Sequence, residues 1–345
     1  MTPTGIAIIG TGYWGPGIVR NLDRLDAAEV LHLVDRDEER ALATAEQLAP
    51  NAHAHGDLQR ALQDEQVEAV VIATPIRSHY ELARQALKAC KHVLVEKPLA
   101  MTVAECRELE ALAAERSLVL MVGHIFLFNG AVQAVKSYLD SGELGQVLYV
   151  HSRRVNLGRV QGDVNALWSF APHDFSILDY WLGAQPIAVQ ARGFAYIQNE
   201  VEDVVFCTVE YPNGVGAHLH LGWLDPRKVR EMTVVGSEKM VVFDDTSSDR
   251  KVQLYDSRVE TRGTGPEDFA GWQVDVRHGD VTIPQLEWTE PLRSEMTHFL
   301  DCIRNGTPCR SSADSGTAVT AAIVAAQLSL LRDGSRVTLE EVLDG

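Results

Sequence analysis

Cysteine and basic residues are scarce in this sequence. The five cysteines are scattered and none belongs to a Cys-x-x-Cys pair, a usage more typical of reduced thiols in a cytoplasm than of a disulfide framework. Lys and Arg number 31 against 48 Asp and Glu, which gives a formal net charge of -17. Because nucleic acids and anionic membranes bind basic surfaces, we expect neither as a partner.

Long apolar runs and a leader segment are also lacking. No uninterrupted apolar run reaches the roughly 18 residues of a membrane span, and no basic segment with an apolar core precedes the first strand. We therefore expect a cytoplasmic protein without a membrane anchor. The chain of 345 residues, 46% hydrophobic and 23% charged, is long enough for two globular domains. Local positive charge for an anionic ligand would have to come from residues such as Lys97, Arg153, Arg154 and Arg159.

A nucleotide-binding pattern opens the chain. The apolar residues 6–9 predict a strand, and a helical pattern follows through Leu22. Between them stands a Gly-x-Gly-x-x-Gly loop, in which the glycines allow a tight turn, close approach of a pyrophosphate and close helix packing. The dipole and free N–H groups of the helix start favour a phosphate. The predicted cofactor contacts of the loop are Gly10, Thr11, Gly12, Tyr13, Trp14 and Gly15.

An acidic residue ends the second predicted strand, residues 30–34. Asp35 comes 20 residues after Gly15, the spacing of the carboxylate that accepts hydrogen bonds from the adenosine ribose. A carboxylate there would repel a 2′-phosphate, which favours NAD. Arg36 could accommodate that phosphate, so NADP stays possible.

Strands and helices alternate as far as Gly123. Near-continuous apolar strands with helices between them indicate a parallel, doubly wound α/β sheet. Thr74 and Pro75 close one strand, which places them, Ser78 and His79 beside the cofactor; a helix-start role is the alternative for His79. The predicted strands after the second are 67–72, 92–95 and 118–122, and the predicted helices are 38–48, 80–89 and 102–114.

The pattern changes after Gly123. Longer alternating strands with hairpin-like turns indicate a mostly antiparallel open sheet, with one face solvated or forming an oligomer. We predict a first domain over 1–123 and an α+β second domain over 124–345, whose C-terminal helix could pack back onto the first. The predicted strands are 147–154, 187–197, 204–211, 216–223, 230–235 and 240–243, with turns at 212–214 and 225–226 and helices at 131–139, 291–304 and 314–331.

Charged residues stand at the tip of one buried-looking strand, where Val93-Leu94-Val95 runs into Glu96-Lys97-Pro98. Burying charges is costly unless they are paired. Ligands of open parallel sheets bind at the carboxyl ends of the strands. Glu96 and Lys97 are therefore predicted at the cofactor and substrate; a structural ion pair between them is the alternative.

These motifs, in this order, with Ala171-Pro172-His173-Asp174 further along, resemble the Gfo/Idh/MocA oxidoreductases, the glucose-fructose oxidoreductase and inositol dehydrogenase family. The resemblance spans nearly the whole chain. It implies an N-terminal NAD(P) domain and a C-terminal sheet that carries the substrate pocket and often an oligomer interface, here a homo-dimer or homo-tetramer. It also implies an often cis peptide bond before Pro98. The implied substrate is a hydroxyl or keto carbon of a sugar, cyclitol or nucleotide sugar.

The resemblance assigns the chemistry to three residues. Lys97 matches the family lysine that bridges the nicotinamide ribose and the reacting hydroxyl, and His173 matches the family histidine. The family commonly has aspartate where this chain has Ser169. Histidine suits a proton transfer near neutral pH, and lysine suits a developing alkoxide. We assign those roles to His173 and Lys97 respectively, although they could be exchanged. The alternative for His173 is helix capping or a satisfied buried imidazole, since Pro172 is a good first helical residue.

Weaker signals concern the substrate and metals. His124 stands at the domain junction and could line the site or the core. The polar segment 153–168 could be a substrate loop, with Trp168 stacking on a ring, or a solvated connection. His218 and His220 alternate on one face of a strand like a metal pair but without a third ligand, so we expect a packed or interface face there and no metal site. The remaining predicted substrate residues are Arg154, Asn156, Arg159 and Asp163.

The sequence thus predicts an NAD(P)-dependent dehydrogenase or reductase acting on CH–OH groups. Two alternatives stay open. One is an NAD-dependent glycosidase, in which transient oxidation leaves the cofactor unchanged. The other is a non-catalytic dinucleotide-binding regulatory protein, suggested by Ser169.

Overall fold

The computed structural model describes residues 2–158, 160, 162, 164–262 and 273–344. The chain divides into two compact units, Met1–Asn129 with Thr289–Ala321, and Gly130–Trp288 with Ala322–Gly345. The first unit thus contains residues 289–321, which the sequence placed in the second domain. The physical reason is the helix Pro291–Asn305, whose buried face, including Leu292, Met296 and Phe299, packs against the helix Gly15–Asp23.

A six-stranded parallel sheet forms the centre of the first unit, in the order β3-β2-β1-β4-β5-β6. This is the dinucleotide-binding order, and the crevice lies where β1 and β4 send their helices to opposite faces. The predicted α/β class is confirmed. The strands are β1 Thr4–Ile9, β2 Ala28–Val34, β3 His53–His55, β4 Val67–Ile72, β5 His92–Glu96 and β6 Leu120–Gly123.

Capping residues fix the helices of this unit. The Asp37 side chain accepts from the Arg40 N–H at the start of α2, and Thr102 and Glu105 form a reciprocal capping box at the start of α5. Strand β3 and helix α3 were not predicted, because segments of 3 and 6 residues are too short to show periodicity. The helices are α1 Gly15–Asp23, α2 Glu38–Leu48, α3 Leu58–Gln63, α4 His79–Lys88 and α5 Val103–Glu115.

The second unit contains a nine-stranded sheet in the order β14-β13-β12-β11-β7-β10-β9-β8-β15. Only β7 and β10 pair in parallel among these strands, so the predicted, mostly antiparallel sheet is confirmed. The strands are β7 Val147–Leu157, β8 Ala188–Phe194, β9 Val204–Glu210, β10 Gly216–Gly222, β11 Leu224–Gly236, β12 Met240–Asp244, β13 Val252–Arg262, β14 Gln273–Thr282 and β15 Val337–Thr338.

Several features of the second unit differ from the sequence prediction, among them the short β15 and the short helix Leu339–Asp344, for which no element was predicted. The helix that carries His173 begins at Ala166, not at Pro172, because the Asn165 side chain caps it by accepting the Trp168 N–H at 3.2 Å. The predicted turn at 225–226 lies inside β11, where a register shift between Leu224 and Val229 accommodates the proline. Strands β13 and β14 were not predicted, since their polar residues hide the alternation.

The remaining helices are α6 Gly130–Asp140, α7 Ala166–Leu182, α8 Pro291–Asn305, α9 Ala313–Leu331 and α10 Leu339–Asp344. Among the described helices, only α9 is long and apolar enough to cross a membrane. Polar residues interrupt its apolar sequence, so the sequence did not predict a membrane span there. Because 61% of its apolar window is buried inside the protein, it has the character of a core helix.

Candidate active site

The glycine loop at the end of β1 is shaped by its backbone. Gly10 has φ +98°, and a Cβ there would lie 2.5 Å from the Ala73 carbonyl oxygen. A Cβ at Gly15 would lie 2.4 Å from the Gly10 oxygen, so neither position accepts a side chain. A Cβ at Gly12 would meet nothing within 4 Å. The loop surface at Gly12 therefore faces open space at the start of α1, as a bound pyrophosphate requires.

The Asp35 carboxylate is fixed on this loop. Its Oδ2 accepts the Thr11 N–H at 2.8 Å and the Thr11 hydroxyl at 3.0 Å. Its Oδ1 accepts from the Arg40 guanidinium at 2.7 Å and from the Asp37 N–H at 3.1 Å. Burial opposes ionisation, but these hydrogen bonds outweigh it and lower the pKa of Asp35 to about 2. Arg40 was not foreseen, although its position five residues after Asp35 could have suggested the pair.

The other residues that were predicted to contact the cofactor near this loop have exposed side chains. Tyr13 is 89% exposed, and its ring meets that of Trp14 edge-on at 5.7 Å between ring centroids. Arg36 is exposed beside Asp35. All three side chains are accessible to a cofactor, but the contacts themselves stay predictions.

Two strand-end turns are tied together by His79. Its Nε2 lies 2.8 Å from the Thr74 carbonyl oxygen and its Nδ1 lies 2.9 Å from the Pro98 carbonyl oxygen. The residue is buried and is the first of α4, as the helix-start alternative expects. The Ser78 hydroxyl donates to the Pro75 carbonyl oxygen at 2.7 Å and lies 2.8 Å from the Thr74 hydroxyl. Cofactor contacts of these residues stay predictions.

The charged strand tip lies at the end of β5. Glu96 stands opposite Gly123 of β6, where a Cβ would come within 3.2 Å of Glu96 atoms. The Lys97–Pro98 bond is cis, as the resemblance implied. Burial raises the pKa of Glu96 to about 7, against the opposing effect of the Lys97 charge. A simple ion pair of Glu96 with Lys97 is therefore an incomplete description of this tip.

A second carboxyl group, which sequence reasoning missed, lies near Glu96. Glu295 on α8 is 0% exposed, and neither carboxylate oxygen has a hydrogen-bond partner among the described residues. Burial and then the charge of Glu96 raise the pKa of Glu295 well above its usual range. Glu96 accepts one hydrogen bond, from the Lys97 N–H at 3.3 Å. Two interacting buried carboxyl groups with so few donors share protons as a pair. The pair therefore carries less than its full negative charge at neutral pH.

His124 follows β6 and is 1% exposed. Burial and the nearby Lys97 charge lower the pKa of His124 to about 3, so its imidazole is neutral at neutral pH. Neither ring nitrogen has a hydrogen-bond partner within the described parts of the chain. Because buried polar groups are rarely left unsatisfied, such a ring favours a site role over a core role.

In the second unit, a buried ion pair holds α7 against β7. Arg154 Nε donates to Asp174 Oδ2 at 2.6 Å, and the Ser152 hydroxyl donates to Asp174 Oδ1. Asp174 is 0% exposed, so it anchors the helix and does not replace the carboxylate missing at Ser169. Ser169 and His173, one turn apart on α7, are both half-buried.

The predicted substrate segment is shorter than expected. Trp168 lies within α7, and its Nε1–H donates to Gln327 Oε1 at 3.1 Å. Asn156 lies in β7. Arg159 and Asp163 lie outside the described residues. Substrate contacts of these residues stay predictions.

The two histidines of β10 have aromatic neighbours. His220 stacks on Phe206 at 4.6 Å between ring centroids, and His218 stacks on His151 at 5.9 Å. These stacks agree with the packed-face alternative.

Comparison with known proteins places these features in a family. Residues 4–124 match the Gfo/Idh/MocA model described as an oxidoreductase family with an NAD-binding Rossmann fold, and residues 132–242 match the model of that family's C-terminal domain. In the crystal structure of GenD2 from gentamicin A biosynthesis in complex with NAD, 97% of that chain superimposes on 98% of this one, with TM-score 0.81 and 25% identity.

Two curated relatives match over shorter stretches. Inositol 2-dehydrogenase 2 of Saccharopolyspora erythraea is 32% identical over 61% of this chain and 64% of its own length. The 2,7-anhydro-N-acetylneuraminate hydratase of Mediterraneibacter gnavus is 32% identical over 45% of this chain and 40% of its own length. Both matches cover less than two thirds of the relative. The two family models together match more than half of the sequence, and the chain belongs to the Gfo/Idh/MocA oxidoreductase family.

Proposed function

We propose that this protein is an NAD(P)-dependent dehydrogenase or reductase that acts on a secondary hydroxyl or keto carbon of a sugar, cyclitol or nucleotide sugar. The observation that carries the proposal is the strand-tip group of the first unit, Lys97 with Glu96, Glu295 and His124. Glu96 and Lys97 come at the carboxyl end of β5, His124 follows β6, and Glu295 of α8 interacts with Glu96. The buried polar atoms of Glu295 and His124 have no hydrogen-bond partner among the described residues. Such a group is suited to a ligand that supplies the missing partners.

The residues of the first unit fit NAD. The backbone of residues 10–15 and the start of α1 would hold the pyrophosphate, with the open space at Gly12 leaving room for it. The ionised Asp35 would accept hydrogen bonds from the adenosine ribose. Bound NAD accepts or returns the hydride, and the protein must orient the substrate and move a proton. Arg40, beside Asp35, could receive a 2′-phosphate, so NADP stays part of the proposal.

Lys97 and His173 divide the proton chemistry. The Lys97 ammonium stabilises negative charge that develops on the reacting oxygen. The His173 imidazole takes the hydroxyl proton in oxidation and returns it in reduction. Ser169 can hydrogen-bond the substrate or a water but carries no charge. The electrostatic demand on Lys97 is therefore greater than in relatives with aspartate at this position.

The test is a screen of sugars, cyclitols and nucleotide sugars that follows nicotinamide absorbance, with wild-type protein, Lys97→Ala and Lys88→Ala. Lys88 is an exposed lysine of α4 and serves as the matched control. We expect an active substrate class for the wild type and the control, and a kcat lower by roughly 10²–10³ in Lys97→Ala with NADH still bound. Equal turnover in all three proteins would refute the assignment of Lys97.

A second candidate is a reaction without net redox change, favoured by the similarity to a relative named a hydratase. Transient oxidation would activate a neighbouring bond, and the cofactor would end as it began. Product analysis with substoichiometric NAD separates the two: many product molecules per cofactor, with constant nicotinamide absorbance, would favour this candidate. Tight NADH binding with no reaction in any assay would favour the regulatory alternative. A cytoplasmic location and a homo-oligomer formed through the C-terminal sheet stay predictions.

A further inference from the structure

A cluster of soft donor atoms lies in the first unit, apart from the groups assigned to hydride transfer. His298, Cys302 and Cys309 each place one nitrogen or sulfur atom within 4.8 Å of the others. Cys302 Sγ lies 3.4 Å from His298 Nε2. Cys302 is 4% exposed, and the other two residues are half-buried. The described part of the chain contains this one such cluster.

The helix end and the loop that follows it bring the three residues together. His298 and Cys302 lie one turn apart on α8, on the same face. Gly306 ends the helix in the left-handed region, with φ +65°, and the chain turns back. The return is fixed where the Val122 N–H of β6 donates to the Ser311 carbonyl oxygen at 2.9 Å. Cys309 is thus held beside the helix from which the chain has just turned.

The second contact of His298 shows the direction of its lone pair. The Arg310 N–H donates to His298 Nε2 at 3.0 Å, so this nitrogen is unprotonated and faces the loop that carries Cys309. The ring also lies 5.3 Å from that of Phe128, between centroids, which limits its rotation.

The spacing fits a tetrahedral metal ion. Zinc binds imidazole nitrogen at about 2.0–2.1 Å and thiolate sulfur at about 2.3 Å, which puts tetrahedral ligands about 3.5–3.8 Å apart. The separation of 3.4 Å between Cys302 Sγ and His298 Nε2 is close to that edge. One imidazole and two sulfurs form a donor set preferred by zinc over magnesium or calcium.

We propose that His298, Cys302 and Cys309 bind one divalent ion of the zinc type, with a water molecule at the fourth position. On binding, His298 Nε2 exchanges the Arg310 N–H bond for the metal. The ion joins the end of α8 to the return loop, and α8 carries Glu295 toward the strand tip. Its role is therefore structural, and the proposal does not depend on the proposed function.

A redox-reactive cysteine pair is the competing interpretation of the same atoms. Redox-sensitive cysteines are accessible to solvent, where an oxidant can reach the sulfur. Cys302 is 4% exposed and Cys309 is half-buried. Their burial therefore favours the metal-binding interpretation.

The sequence expectation of no metal site is revised by this proposal. That expectation was based on His218 and His220, which have no third ligand of matching spacing. The ligands here are separated by three and six residues across a helix end, a spacing that becomes a site only once the chain turns back at Gly306.

The test is metal analysis of the full-length protein after chelator treatment, reloading with Zn²⁺ and gel filtration. We expect about one zinc ion per chain. Loss of an outer-shell partner alone weakens metal binding by 10–100-fold. Cys309→Ser and Cys302→Ser should therefore weaken it by more than about 100-fold, whereas Cys90→Ser, at an exposed cysteine of the same unit, should not.

Cobalt gives a readout that does not depend on the folding of a variant. Wild-type protein loaded with Co²⁺ should show thiolate-to-cobalt charge-transfer absorption, which Zn²⁺ abolishes by competition. Substoichiometric zinc in the wild type, or equal zinc in folded Cys309→Ser, would overturn the proposal. A Cys302–Cys309 disulfide formed in air, with no metal bound by the reduced protein, would overturn it in favour of the redox pair.

Discussion

Asp35 and the Glu96–Glu295 pair are carboxyl groups of the same unit, at or near the carboxyl edge of one parallel sheet, yet they differ in charge. Asp35 accepts four hydrogen bonds, from Thr11, Arg40 and Asp37, and its pKa is lowered to about 2. Glu295 has no donor among the described residues, and the pKa of Glu96 is raised to about 7. Burial disfavours ionisation at both places. At Asp35 the hydrogen-bond donors outweigh it, whereas at Glu96, which accepts only the Lys97 N–H, the deeper burial prevails.

The difference corresponds to two tasks. A fixed negative charge at Asp35 suits the recognition of ribose hydroxyls, which need an acceptor that does not change with pH. A carboxyl pair that shares protons carries less than two negative charges near neutral pH, beside the Lys97 ammonium. We therefore infer that the strand tip repels a developing negative charge less than two ionised carboxylates would, while the glycine loop presents an ionised carboxylate to the adenosine ribose.

The largest expected effect concerns the place where a carboxylate is missing, Ser169. If serine only assists, His173→Ala should lower kcat by roughly 10²–10⁴, the effect of a lost general acid or base, and Ser169→Ala should lower it only modestly. Steady-state turnover of both variants on the substrate found by the screen measures this. Small and equal losses would contradict the assignment of His173.

Two ion pairs of the second unit, one buried and one partly exposed, should differ in how much they stabilise the fold. Asp174→Ala leaves Arg154 buried without its carboxylate partner and should lower the free energy of unfolding by about 3–5 kcal/mol. Asp140→Ala removes the partner of Lys136 on α6, at 2.5 Å, where the Asp140 side chain is 61% exposed, and should cost at most about 1 kcal/mol. Denaturant titration of both variants measures the difference, and comparable losses would show that burial does not set the cost.

The third effect concerns cofactor choice. Asp35→Ala removes charge-assisted hydrogen bonds worth about 1.5–3 kcal/mol, so NAD should bind roughly 10–100-fold more weakly. NADP should lose less, because Arg40 is freed to meet its 2′-phosphate. Calorimetric titration of both cofactors measures the ratio, with Glu39→Ala as the exposed control. An unchanged NAD/NADP ratio would contradict the ribose contact.

The two ends of the site also differ in how far the sequence could predict them. One β-α-β unit contains the glycine loop and Asp35 on consecutive elements. The spacing of Gly10, Thr11, Gly12 and Asp35 along the chain therefore predicts that they lie close together in the structure. Lys97 could be placed for the same reason, because it ends a strand of that sheet.

Glu295, Arg40 and the His298–Cys302–Cys309 cluster could not be predicted in this way. Glu295 comes 199 residues after Glu96, and it joins the strand tip only because the apolar face of α8 packs on the first unit. The N-cap at Asn165 outweighed Pro172 as a helix start, which local preference alone did not show. Long-range packing, which leaves no periodic pattern, accounts for these omissions.

The pH dependence of unfolding tests most directly whether Asp35 and the Glu96–Glu295 pair have these different charges. Ionised Asp35 stabilises the fold above its unfolded-state pKa, and that stability is lost only as pH falls toward about 2. The raised pKa of Glu96 has the opposite effect on how the free energy of unfolding depends on pH. The folded state keeps a proton that the unfolded state has released, so stability falls as pH rises from about 4.5 through about 7.

The decisive measurement is urea unfolding of the cofactor-free protein between pH 5 and pH 8, for wild type, Glu295→Gln and the exposed control Glu115→Gln. Gln cannot ionise, and it removes the repulsion on Glu96. We therefore predict that the free energy of unfolding of Glu295→Gln falls less between pH 5 and pH 8 than that of the wild type. The difference should be a few kcal/mol, at about 1.4 kcal/mol for each unit of pKa shift that is removed. Glu115→Gln should keep the wild-type slope. Identical slopes in all three proteins would contradict the account of a protonated carboxyl pair at the strand tip.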